Sequence, residues 1–153
     1  MKKGLKIILA IVVLVVVIIG VMLLVVLPAT LNNAAKLQTY DFGETDKIPS
    51  FNSVVGDRNV TGVSTSSGTG GTQQKTYTYE TETLFMDVDA YAGALQTTGF
   101  LVLKSMEGNE LKGNMQMGCA SADAGKIIIV DLAWDNTRIV VQLTKGDGTI
   151  TPK

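Results

Sequence analysis

Asp41, Glu44 and Asp46 fall within the six residues DFGETD, and carboxylates this close are the oxygen set that hard cations such as calcium take. The EF-hand spacing is absent, however, and an acidic stretch in a polar segment is solvated by default. Asp87 and Asp89 form a second pair. Acid–base chemistry would need another group facing them across a cleft, whereas at a helix start they simply answer the free N–H groups and the dipole. Asp131 interrupts IIIVDLAW and invites a ligand or an interface salt bridge, with a cross-strand ion pair to Arg138 as the plainer role. Tyr77, Tyr79 and Trp134 could stack against a sugar as a ligand platform, although aromatic residues on strands more often fill a core. The glycine-rich SSGTGGT lacks GxxxxGK[ST] and no helix follows it directly, so it reads as a hairpin tip rather than a phosphate cradle.

Composition removes further chemistry. The chain has no histidine, which excludes Ser-His-Asp and Cys-His nucleophiles, imidazole metal sites and a histidine pH switch. Its single cysteine, Cys119, cannot close an internal disulfide. Cys119 alternates with Met115 and Met117 in NMQMGCAS, which places it on their face as an inert core thiol, with intermolecular pairing or reactivity as the alternative. Beyond Lys6 there are 10 basic and 14 acidic residues, a balance that argues against nucleic acid and anionic lipid as partners. No catalytic, cofactor or metal residue is assigned on this basis, and the expectation is a protein that is not an enzyme.

The segments that must position these residues begin with an apolar run. Ile7 to Leu27 are 21 residues without a charge, 13 of them Val or Ile. As a helix they span about 31 Å, close to the ~30 Å hydrocarbon core of a bilayer. Lipid obliges the backbone to satisfy its own hydrogen bonds, which favours helix despite the β-branched content. Lys2, Lys3 and Lys6 precede the run and the next basic residue is Lys36, so the N-terminus is expected in the cytoplasm and the rest outside. The run is longer than a secretory h-region, and VVLPATLNNAAKL offers poor cleavage sites, which favours a retained signal-anchor over a cleaved signal peptide. The expected layout is a basic cytoplasmic end (1–6), a transmembrane helix (7–27), a tether (28–49) and an extracytoplasmic domain (50–153).

Within the domain, RNVTGVSTSSGTGGTQQKTYTYE reads as two strands around a Ser66–Thr72 tip. In DVDAYAGALQTTGF the residues Val88, Tyr91 or Ala92, and Leu95 recur at helical spacing, with Asp87 as N-cap and Gly99 as the left-handed terminator. Two further hairpins follow by register. A turn at Gly108–Asn109 sets Met106 opposite Leu111, Val102 opposite Met115 and Phe100 opposite Met117. A turn at Asp135–Asn136 sets Leu132 opposite Ile139, Val130 opposite Val141 and Ile128 opposite Leu143. The expected fold is therefore α+β: an N-terminal hairpin, one helix and a four-stranded antiparallel meander.

The other face of that meander carries Leu101, Leu103, Ile127, Ile129, Asp131, Arg138 and Val140. It is more apolar than a solvated sheet face should be. Either the N-terminal hairpin folds over it or another chain covers it. These observations predict a single-pass protein of the cell membrane acting as an interaction or assembly module. Its partner would be an envelope protein or a further copy of itself. The alternative is a tethered module for a small ligand or glycan, using Tyr77, Tyr79 and Trp134.

Overall fold

The structure is a computed structural model that describes residues 27–150, so all of the apolar run but Leu27, and with it the anchor expected there, lies outside the described residues. Among the described residues no helix is long and apolar enough to cross a membrane. The fold is α+β. In chain order it comprises α1 (Leu27–Ala35), β1 (Thr39–Phe42), β2 (Asp46–Pro49), α2 (Phe51–Val55), β3 (Asn59–Ser67), β4 (Gln73–Glu80), α3 (Leu84–Thr97), β5 (Leu101–Gly108), β6 (Lys112–Ala120), β7 (Lys126–Asp135) and β8 (Arg138–Asp147).

Six strands form one antiparallel sheet in the order β3-β4-β8-β7-β6-β5. The expected hairpin, helix and meander are all present, but the sheet has six strands and not four. β4 pairs with β8 along its whole length, Gln73 opposite Lys145 through Glu80 opposite Arg138. The N-terminal hairpin therefore widens the meander in its own plane instead of folding over it. Alternation assigns the two faces. Tyr77, Tyr79, Met115, Met117, Ile128, Val130, Leu132, Trp134, Ile139, Val141 and Leu143 point into the core and are buried.

Helix α3 covers that face with Leu84, Val88, Tyr91, Ala92 and Leu95. The helix begins one turn earlier than the sequence predicts, because Leu84 continues the buried stripe, and Thr83 rather than Asp87 is its N-cap. Asp87 is buried instead, accepting from Arg58 Nε (2.7 Å), Arg58 Nη2 (2.8 Å) and the hydroxyls of Thr81 and Thr83. The expected terminator is in place, with Gly99 at φ 95°.

Residues 28–49, expected as a tether, contain folded elements. β1 and β2 form their own hairpin, and Tyr40, Phe42 and Ile48 from it are at most 2% exposed. The Tyr40 ring stacks on Tyr77 at 4.3 Å between centroids, its hydroxyl meets that of Tyr79, and the Phe51 amide donates to it at 3.0 Å. Phe51 in turn sits 4.8 Å from the Tyr79 ring and 5.2 Å from that of Tyr91. Ser50 caps α2, and the Tyr91 hydroxyl donates to Pro49 O. The domain core thus begins well before residue 50.

Candidate interaction surface

The solvent-facing side of the sheet brings together most of the residues singled out on it. The pairings Leu101–Gly118, Gly118–Ile129 and Ile129–Thr144 make one cross-strand row, and Ile127 lies on the same face. A methyl built on Gly118 would meet Leu103 Cδ1 at 2.7 Å and Ile150 Cδ1 at 3.0 Å, so both side chains lie over that glycine. The apolar corner is therefore lined by Leu101, Leu103, Ile127 and Ile129, and the chain's own C-terminal segment rests against it through Ile150. The Gly148 amide, which donates to Gly125 O at 3.0 Å, holds that segment near the sheet.

Polar groups interrupt the face beyond that corner. Asp131 lies between Gln116 and Gln142 and accepts from Gln116 Nε2 at 2.7 Å. The expected diagonal to Arg138 does not form, because the β7–β8 turn lies at Asn136–Thr137, two residues of register from the sequence-based pairing. Asp135 faces Arg138, Trp134 faces Ile139, and Asn136 takes the positive φ of 56°. A shift of two preserves every facing, which is why Val140 is still on the outer side, opposite Ala133. Around Ala133 the small side chain leaves a shallow depression of about 410 Å³ bordered by Lys112, Asn114, Asp135, Arg138 and Val140. Lys112 is tied to Asp135 at 3.2 Å.

The aromatic platform is not at the surface. Tyr79 and Trp134 flank Ile139 from either side in the core layer, and Tyr77 lies beneath Tyr40. Trp134 is 3% exposed and donates through Nε1 to Asn109 O at 2.9 Å, so none of the three rings offers a face to a ligand. The three acidic residues of DFGETD likewise diverge: Asp41 accepts from Thr39, whereas Asp46 turns inward to Lys145. Among the described residues no group of three His, Cys, Asp or Glu side chains could hold a metal ion. Cys119 is half-buried beside Met117, and burial followed by the Asp46 charge pushes its thiol up to about 11.

Sequence pattern alone did not single out the edge strand β5. Its turn is wider than the expected Gly108–Asn109 pair, with Gly108 opposite Gly113 and the Asn109 side chain accepting from the amides of Leu111 and Lys112. Two register irregularities follow, so Val102 faces Met117 and not Met115. The strand emerges exposed on both sides. Of eight large apolar residues exposed among the described residues, five belong to β5 and its turn: Leu101, Val102, Leu103, Met106 and Leu111. As the last strand of the sheet it also has one row of backbone groups with no neighbouring strand. The opposite edge, β3, is mostly Ser, Thr and Gly. No protein-family model, curated protein or solved structure matches the chain.

Proposed function

We propose that this is a single-pass protein of the cell membrane, anchored by Ile7 to Leu27, whose extracytoplasmic α+β domain is a non-enzymatic assembly module acting through strand β5. The carrying observation is the concentration of exposed apolar side chains on a sheet edge that has no strand beside it. Such an edge is completed by an added strand, whose main-chain hydrogen bonds supply affinity while alternate side chains supply selectivity. The adjoining corner of Leu101, Leu103 and Ile129 extends the apolar area onto the outer face.

A second copy of the chain is the partner this reading commits to. Antiparallel pairing of β5 with β5 about a two-fold axis between Ser105 and Met106 sets Lys104 of each copy opposite Glu107 of the other. That exchanges the exposed Lys104–Glu107 contact within one chain, 2.9 Å, for two reciprocal contacts between chains.

Cross-linking in intact membranes, with a tag at Lys153, tests the reading. The expected product is a full-length dimer, lost in Leu103→Lys and Met106→Lys while the unfolding free energy stays within about 0.5 kcal/mol of the parent chain. Dimer yield unaffected by both substitutions would remove β5 as the interface. A stoichiometric link to a different envelope protein, abolished by the same substitutions, would keep the edge and replace the partner.

A further inference from the structure

Asp46, Asp123 and Lys145 form a charged cluster that the assembly role does not use. Lys145 is 5% exposed and sits on the core face of β8, held on both sides by β4 and β7. Its Nζ lies 2.6 Å from Asp46 Oδ2 and 2.7 Å from Asp123 Oδ2, and donates to Phe42 O. Asp46, 7% exposed, is fixed by two further donors: the Ala122 amide on Oδ1 at 2.8 Å and the Ser121 hydroxyl on Oδ2 at 2.6 Å. Asp123 belongs to the β6–β7 turn, and its side chain is 56% exposed.

We propose that Lys145 and Asp46 condense into an intramolecular isopeptide bond, with Asp123 moving the protons. Asp123 takes a proton from the ammonium, and the freed amine attacks Asp46 Cγ, one bond beyond the oxygen it already touches. Oδ1 stays as the amide oxygen in the grip of the Ala122 N–H. Oδ2 leaves as water, carrying the two protons that Asp123 relays from nitrogen. One ammonium and one carboxylate become one amide and one water, and Asp123 returns to its starting state without an external reagent.

Three features favour the reaction. The two reacting groups are among the most buried charged side chains of the domain, which disfavours the ion pair relative to the neutral amide and keeps bulk water from the product. Held orientation is worth an effective molarity of about 10⁵–10⁸ M, which opposes hydrolysis of the bond. The partly exposed Asp123 gives the released water a way out. The resting groups are charged. Burial pushes the Asp46 carboxyl up, but its hydrogen bonds and the Lys145 charge hold it below its ordinary value. Burial likewise lowers the Lys145 ammonium, and the two aspartates raise it beyond that. The neutral pair is accordingly a minor form and the reaction slow, which suffices for a bond made once in the life of each chain. The bond would fasten the β1–β2 hairpin, which shares no backbone ladder with the six-stranded sheet, to the final strand.

Intact-mass measurement of the purified full chain, followed by tryptic mapping, decides the matter. The expected mass is lower than the sequence mass by one water. A branched peptide should join 37–47 to 139–153, with no cleavage after Lys145. Lys145→Arg should restore the full mass, and Asp123→Asn should accumulate unlinked chain. A wild-type mass equal to that of the sequence overturns the proposal, whether or not the variants fold. Water loss that persists in Lys145→Arg also overturns it, since a succinimide at Asp147–Gly148 gives the same mass. A branch to 113–126 instead would place the bond on Asp123 and refute the assignment to Asp46.

Discussion

Gly113 sits opposite Trp134, and a methyl placed on it would come within 2.4 Å of both Trp134 Cζ2 and Glu107 O. The indole lies across the glycine, which is how the only tryptophan is buried at a strand end with its N–H satisfied. Gly113→Ala should cost about 1–3 kcal/mol through overpacking and shift the tryptophan emission to the red, both read from one urea titration. Asp87 makes a different statement. Burial pushes its carboxyl up, but Arg58, Thr81 and Thr83 outweigh that and hold it below the usual carboxylate range. A depressed carboxyl stabilises the fold above its unfolded value of ~3.9 and ceases to do so as the pH falls through the lower folded value. Urea midpoints should therefore be level from neutrality to about pH 5 and drop below about pH 4. Asp87→Asn should lose about 2–3 kcal/mol at neutral pH, discounted for the partial exposure of Arg58, and show a shallower acid limb. An acid limb as steep as the parent's would place the titrating group elsewhere.

At the scale of elements, the segment before residue 50 carries the largest surprise. LQTYDFGETDKIPS has no sustained period, and its strands are four residues each, too short for alternation to register. Their burial follows from what they meet: Tyr77, Tyr79 and Tyr91 need partners for rings and hydroxyls, and Tyr40 and Pro49 O supply them. Burying Tyr40, Phe42 and Ile48 stabilises the domain by roughly 1.5–3 kcal/mol each, a sum comparable with a typical net stability of about 5–15 kcal/mol. A chain starting at Phe51 should consequently show no cooperative unfolding and little near-ultraviolet dichroism, whereas one starting at Leu27 keeps both. Cooperative melting of the shorter chain would return residues 28–49 to the role of a tether.

At the scale of the whole molecule, the sheet has one layer of cover. α3, α2 and the β1–β2 hairpin all lie on the core face, while the chain's own Gly148–Ile150 segment rests on the outer face beside Ile127 and Gly118. Anchorage by the N-terminal run would present this half-covered sheet outside the membrane. Protease added to intact cells should then remove a tag at Lys153 and spare one at Met1. A protected C-terminal tag together with a cleaved N-terminal one would reverse the orientation.

Local pattern was sufficient for the facing of almost every strand residue, for α3 and its end at Gly99, and for the α+β class. Side-chain alternation survives a register slip of two, as Val130 and Val140 show. Pairing partners did not survive it, because Asn136 and not Asp135 opens the turn and β5 is irregular. Three outcomes required the tertiary structure: the pairing of β4 with β8, the burial of Tyr40 and Phe42, and the meeting of Asp46 with Asp123 and Lys145. Each joins residues tens of positions apart. What decides such contacts is which surfaces remain uncovered once the local elements exist, and no short window of sequence contains both sides of that choice.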